Sequence, residues 1–227
     1  MLSIVTPVLN GAQFIENNIR SVASLKVPYE HIIVDGGSTD GTIGIVKKYN
    51  NVTFLSQTNK DGMYGAINQG FNQAKGNIFA YLNADDTYVA SGIERLYNTI
   101  TEKNADIAYG DTDFHWKITD SYEKIYGRPL GKFFLQRGII PFCQSSSVFS
   151  KRAFNAAGGF RAEMFRICGD LDFFQRISYF ESSKILYVPV KVSVFFKYDG
   201  SLGNSNNELY IKEKLKIRNQ DYKKYIN

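Results

Sequence analysis

Carboxylates carry the chemistry this sequence can offer, because it lacks phosphate loops, thiol clusters and the histidines a triad or metal cage would need. The 227 residues include two histidines and two cysteines, Cys143 and Cys168, which form no CxxC pair. No GxxxxGK[ST] phosphate loop, GxGxxG fingerprint or His/Cys metal spacing is present. Three acidic groups stand out instead. Asn83-Ala84-Asp85-Asp86 directly follows the apolar run 78–82. Adjacent carboxylates there suit a hard divalent cation, Mg2+ or Mn2+, which takes oxygen ligands and keeps some waters. The same tetrapeptide reads equally as a loop that caps the next helix. Asp35 opens the second group, which continues as Gly36-Gly37-Ser38-Thr39-Asp40-Gly41-Thr42. Glycines let a backbone approach a flat ligand closely, and Asp35 can accept a hydrogen bond from a nucleobase N–H. Asp40, just ahead of a helix, reads as its N-cap. Asp170 and Asp172 make the third group. Two residues apart on one helix, they face nearly opposite sides. One can serve as a general base while the other favours the helix dipole, and chemistry alone leaves either one as the base.

The surrounding pattern says how these groups are positioned. Residues 2–5 form an apolar run that stops at Pro7, and 31–34, 52–56 and 78–82 repeat the type. Helical periodicity covers 12–25, 42–49 and 64–74, and Ser91-Gly92-Ile93-Glu94 has capping-box spacing for a further helix. Apolar strands alternating with helices predict an α/β fold with a mostly parallel central sheet flanked by helices. Ligands of such sheets sit at the carboxyl ends of the strands. The clusters 6–10, 35–40 and 83–86 each follow a strand end. The second half is less regular. Strands are expected at 106–110, in mixed directions within 114–126, and at 145–149. Helices follow at 151–156, capped by Ser150, and at 170–179. Residues 184–196 are extended, with Pro189 marking an edge or a break, and 208–225 form a Lys-rich helix.

The formal charge is +5, and no nucleic-acid motif or basic cluster exists outside the tail, so nucleic acid is not an expected partner. The longest apolar stretch, 185–196, is interrupted by Lys191 and Ser193 and is too short to span a bilayer. Sparse cysteines and the lack of a leader-like start fit a cytoplasmic protein. Lys212, Lys214, Lys216, Arg218, Lys223 and Lys224 are interleaved with Leu209, Ile211, Leu215 and Ile217. That helix reads either as packed on its own domain or as docked on an anionic membrane from the cytoplasmic side.

Taken together, these stretches resemble the family 2 glycosyltransferases, which have the GT-A fold. Val5-Thr6-Pro7-Val8-Leu9-Asn10 is similar to the family's first-strand motif, with Leu9 in place of an aromatic residue. Residues 35–42 resemble its nucleotide-binding DGGSTDGT, and 60–70 resemble a DKGxYDAMNKG stretch of one bacterial branch. Asn83 to Asp86 stand at the metal-binding DxD motif. The resemblance implies a Rossmann-like nucleotide-sugar-binding half at 1–110 and a mixed acceptor half at 111–205, with the basic C-terminal helix at 206–227 lying beyond it. It implies that Thr6, Pro7 and Asp35 form the nucleotide pocket and that Asp85 carries the metal. Asn83, Asp86 and Asp61 would line the donor site, with Asp111 near the transferred sugar. Gly169-Asp170 falls where the family has Glu-Asp, which selects Asp170 as the catalytic base. The implied partners are a nucleotide-sugar donor, with UDP as its nucleotide, and a saccharide or lipid-linked saccharide acceptor. The implied setting is bacterial cell-surface polysaccharide or glycolipid synthesis. Asn83 and Gly169 depart from the family pattern, and they leave room for a catalytically silent nucleotide-sugar-binding module. The QxxRW signature of processive synthases is missing, so single-sugar transfer is expected.

Overall fold

The computed structural model describes residues 1–198, 207–222 and 225. Strands β1 (Leu2–Val8), β2 (Tyr29–Asp35), β3 (Val52–Ser56) and β4 (Ile78–Tyr81) are parallel and lie in the order β3-β2-β1-β4. β8 (Ser147–Ser150) runs antiparallel between β4 and β6 (Ile107–Trp116). β9 (Ile185–Lys197) lies parallel beside β6, β5 (Thr87–Tyr88) pairs with β9, and β7 (Ser121–Ile125) forms a hairpin with β6. Two antiparallel steps return β6 to the direction of β1. The carboxyl ends of β1, β2, β4 and β6 therefore share one rim of the sheet.

Residues alternate between the two faces, as the pleat requires. Val5, Val34, Phe79, Tyr81, Ile107 and Phe149 pack beneath α3 (Gly62–Gln73), α6 (Lys151–Ala157) and α7 (Gly169–Ser178). Their neighbours Ile4, Ala80, Leu82, Ala108 and Val148 face α1 (Ile15–Ala23) and α4 (Ala90–Lys103). Three further elements complete the set used below: α2 (Thr42–Val46), α5 (Gly131–Leu135) and the C-terminal α8 (Asn207–Arg218).

Several local expectations change. β1 continues past Pro7 to Val8. Leu2 N–H points to β2, so in the alternating ladder the nitrogen of Pro7 points toward β4, where pairing ends at Val5–Tyr81. The missing donor is therefore not needed. The capping box at Ser91 does not form. α4 starts after Val89 without a side-chain cap, and the Glu94 carboxylate accepts from Lys26 N–H at 2.6 Å instead. Ser150 does cap α6, accepting from Ala153 N–H. Pro189 marks a break rather than an edge. The β6–β9 register shifts there, with Tyr187 opposite Tyr109 but Lys191 opposite Asp111. Gly110 is the residue under this bulge, and a Cβ on it would lie 2.5 Å from the Val190 carbonyl oxygen.

α8 is shorter than the expected 208–225, and it packs on the domain. Glu213 and Ile217 are buried against the domain, and Tyr222 beyond the helix is buried too. The expected boundary at 205/206 and the side chains of Lys223 and Lys224 lie outside the described residues. No helix among the described residues is long and apolar enough to cross a membrane.

Candidate active site

At the rim, the β1 and β2 loops tie one another into shape. Asp35 ends β2, and its Oδ2 accepts from Gly37 N–H at 2.9 Å and Ser38 N–H at 3.0 Å. Its Oδ1 is buried and has no partner among the described residues. Asn10 takes a left-handed conformation, φ 52°, and its Oδ1 accepts from Thr39 N–H. The N-cap of α2 is Gly41, at φ 96°, rather than Asp40. Asp40 acts from one residue earlier, accepting from Thr42 and from Ala12 N–H, and the Thr42 hydroxyl bond leads the causes that hold its carboxyl below the ordinary range.

The Asn83–Asp86 turn sits beside these loops and is held from below. Thr6 is fully buried, and Pro7 is buried as well. The Thr6 hydroxyl donates to Asn18 Oδ1 and lies 2.9 Å from His31 Nε2. Burial pushes His31 down to about 3, so the ring is neutral, and its Nε2–H tautomer can donate to Thr6. Asn18 Nδ2 in turn donates to the carbonyl oxygens of Asn83 (2.8 Å) and Asp86 (3.1 Å). The structure thus makes Thr6 a support under the turn rather than part of an open pocket. Asn18 and His31 carry no motif that marks them in the sequence. The legible signal was a polar Asn18 on the apolar stripe Ile15, Ile19, Val22 of α1.

Within the turn, Asp86 is fully buried. Its Oδ1 accepts from Phe196 N–H at 3.1 Å, while Oδ2 is unpartnered among the described residues, as is Asn83 Oδ1. Burial pushes the Asp86 carboxyl well above the usual range, with the neighbouring Asp85 charge second. Asp85 is partly buried, raised by desolvation, and accepts from the Tyr198 hydroxyl. These all-oxygen groups fit a hard cation. No group of three His, Cys, Asp or Glu side chains that could hold a metal exists among the described residues. A cation here would be held by one or two carboxylates and completed by water and ligand phosphate, the usual habit of Mg2+.

Asp170 stands in the first turn of α7. Its Oδ1 accepts from Leu171 N–H at 2.8 Å and lies 3.4 Å from the Tyr64 hydroxyl. That hydroxyl donates to the Ile167 carbonyl oxygen at 2.8 Å and accepts from Asp170 N–H at 3.2 Å. Burial pushes the Asp170 carboxyl up to about 6, near the value that suits a general base at neutral pH. Tyr81 stands at the end of β4. Its buried hydroxyl has no partner among the described residues and is raised first by burial, then by the charge of Asp170, with Asp86 contributing too.

The sequence model described as glycosyl transferase family 2 matches residues 3–158. The chain belongs to this family. A glycosyltransferase GlyG of Streptococcus pneumoniae is 26% identical over 92% of this chain and 75% of its own length. A PGL/p-HBAD biosynthesis glycosyltransferase of Mycobacterium tuberculosis is 28% identical over 95% and 83%. The glycosyltransferase AglE of Haloferax volcanii is 33% identical over 50% of this chain, which spans only 40% of that relative. Among solved structures, S. aureus TarS 1-349 in complex with UDP matches with a TM-score of 0.66 at 19% identity, over 87% of this chain and 61% of TarS 1-349. The mannosyltransferase PcManGT from Pyrobaculum calidifontis, in complex with GDP-Man and Mn2+, gives 0.69 at 16% identity, over 97% and 65%. The fold is GT-A, as the resemblance implied.

Two positions of this family 2 chain now have a physical account. Gly169 stands where a Glu was expected because Tyr64 fills the space. A Cβ on Gly169 would lie 2.6–2.9 Å from three ring carbons of Tyr64. Gly169→Ala is therefore expected to displace Tyr64 and with it Asp170, costing about 1–3 kcal/mol of stability and lowering turnover. Urea denaturation and initial rates measure the two effects.

Asp172 points the other way from Asp170, as helical geometry requires. It is fully buried, accepting from Arg176 Nε at 2.9 Å, Arg161 Nη1 at 3.3 Å and the Tyr222 hydroxyl at 2.9 Å. The loop before Asp170 is clasped by Glu213 of α8, whose carboxylate accepts from Arg166, Ile167 and Cys168 N–H at 2.6–2.9 Å. Asp61 lies at the start of α3 on the same rim, accepting from Gln57 Nε2. Asp111 is not open to a ligand. It is 3% exposed, and its Oδ1 accepts from Gly127 N–H and the Tyr187 hydroxyl, fixing the β7–α5 connection. The carboxylate expected near the sugar thus serves the bulge beside Gly110.

Proposed function

We propose that this chain is an inverting glycosyltransferase that moves one sugar from a UDP-sugar, with Mg2+ or Mn2+, to a hydroxyl of a saccharide or lipid-linked saccharide. The observation that carries this reading is Asp170 in the first turn of α7, its Oδ1 held by Leu171 N–H and the Tyr64 hydroxyl, with burial pushing its carboxyl up to about 6. The base would be read by Asp35, whose buried Oδ1 has no partner among the described residues. Asp85 would hold the cation, with Asn83 and Asp86 around it, and Asp61 would stand at the donor's edge. When bound, the cation supplies positive charge against the departing diphosphate. Asp170 Oδ1 is engaged by Leu171 and Tyr64, so Oδ2 takes the acceptor proton as the hydroxyl attacks the anomeric carbon from the face opposite the diphosphate. The setting that fits is assembly of a bacterial surface polysaccharide or glycolipid at the cytoplasmic face of the membrane. The names of relatives support it, including a putative teichuronic acid biosynthesis glycosyltransferase of Bacillus subtilis.

A thermal-shift screen tests the donor and the metal together. UDP with Mn2+ at a hundred times its Kd should raise Tm by about 5–10 °C. Asp85→Asn should remove the Mn2+-dependent part of that shift. Equal shifts with and without Mn2+ in both proteins would refute the metal assignment. Donor binding without transfer or hydrolysis would favour the silent binding module that Asn83 makes conceivable.

A further inference from the structure

The connection from β7 to β8 carries a surface that the transferase reading does not use. Leu130 is 74% exposed, Phe133 47% and Ile139 43%, around the short helix α5. Leu130 also adopts a left-handed conformation, φ 64°, which strains a bulky residue without burying it. Gly138, at φ 70°, closes the turn that follows α5, and Ile139 N–H turns back to the Phe134 carbonyl oxygen at 3.1 Å, while the Ile139 side chain stays exposed. The exposed Arg137 lies over the Phe133 ring, 3.5 Å from its centroid, and the exposed Arg128 precedes Leu130.

The connection itself carries charge of one sign. The sequence contains no Asp or Glu between Glu123 and Glu163, while Lys124, Arg128, Lys132 and Arg137 all fall in that stretch. Lys132 is already engaged with the carbonyl oxygens of Phe180 and Glu181. Arg128 and Arg137 are exposed beside the apolar groups, and Arg137 also donates to the Phe133 carbonyl oxygen at 3.1 Å. A two-fold contact with a second copy would set these arginines against themselves. Large apolar side chains ringed by arginines match the boundary of an anionic bilayer, where acyl chains meet phosphate.

The position of the patch relates it to the active site. Ile140, next to Ile139, packs into the cluster of Phe165, Cys168, Leu171 and Ile217. Cys168 and Leu171 flank Gly169-Asp170, so the patch borders the elements that hold the base. We infer that Leu130, Phe133 and Ile139, with Arg128 and Arg137, form a docking surface for an anionic lipid membrane. α8 is the rival contact: it packs Glu213 and Ile217 against the domain but keeps Ile211 and Leu215 exposed among its lysines, so the test includes both surfaces. The inference goes beyond the transferase reading and does not depend on which sugar moves.

Vesicle sedimentation of the full chain tests it, using phosphatidylcholine alone and phosphatidylcholine mixed equally with phosphatidylglycerol. The chain should sediment with the anionic vesicles at low salt, not with phosphatidylcholine alone, and should be released as salt rises. The double variants Phe133→Ser/Ile139→Ser and Arg128→Gln/Arg137→Gln should each weaken partitioning about tenfold or more, with the UDP-induced thermal shift unchanged. That unchanged shift separates a failure of docking from a failure of donor binding. The inference is overturned if the parent chain stays in the supernatant at low salt, or if both double variants bind like the parent. It is also overturned if only Ile211→Ser/Leu215→Ser removes binding, or if Phe133→Ser/Ile139→Ser dissolves a dimer that ignores vesicles.

Discussion

Asp170→Asn is expected to lower turnover about 10²–10⁴-fold, the range that a positioned general base contributes, while UDP binding is unchanged. Asn keeps the shape that accepts from Leu171 N–H but cannot take a proton from the acceptor hydroxyl. The parent enzyme should also lose kcat/KM as pH falls through about 6, where burial has placed the Asp170 carboxyl, because the protonated acid cannot act as a base. The stability change runs the opposite way. A carboxyl raised in the fold from its ordinary 3.8 ionises first in the unfolded chain. The fold therefore loses stability as pH rises from about 4 to about 6, and that loss persists at neutral pH. Asn removes it, so the variant should be at least as stable as the parent at pH 7. Near-normal transfer by a correctly folded Asp170→Asn protein would remove the assignment.

Asp172→Ala should give the converse result. Here the carboxylate joins Arg176 and Arg161 and accepts from Tyr222, with Asp172 and Arg176 both fully buried. Removing it leaves a buried guanidinium without its counter-charge, which costs about 3–5 kcal/mol. Arg176 still donates to the carbonyl oxygens of Ala157 and Gly159, so those bonds hold an ion that now lacks a partner. Chemical denaturation should show the loss directly. What remains folded should retain activity per active site, measured by burst or UDP titration. A variant with unchanged stability and abolished transfer would exchange the roles of the two residues. Two aspartates on one helical turn thus separate chemistry from structure, and the comparison needs both measurements on both proteins.

Much of the fold was legible because burial leaves a local period. Apolar runs at 31–34 and 52–56 became β2 and β3, and the alternating partners Phe79 and Ala80 sorted to opposite faces of the sheet. The polar clusters after β1, β2 and β4 followed from the same alternation. Caps were less legible. Ser150 behaves as its type suggests, whereas Ser91 and Asp40 do not occupy the cap positions their spacing implied, because Glu94 and Asp40 find better-placed partners across the chain at Lys26 and Ala12.

The carboxylates show where the sequence stops. By itself it determined that oxygen ligands would gather at strand ends, that Asp35 and the Asn83–Asp86 turn would meet at one rim, and that Asp170 and Asp172 would diverge. These follow from periods of two and 3.6 residues, which act over a few positions. Only the tertiary structure decided that Asp111 is consumed by Tyr187 and Gly127, that Tyr64 occupies the space above Gly169, and that Glu213 clasps the loop before Asp170. The partners in those contacts are separated by 76, 106 and 45–47 residues along the chain for Tyr187–Asp111, Tyr64–Asp170 and Glu213's three donors. No local pattern specifies a partner at that distance, because its choice depends on how whole elements pack.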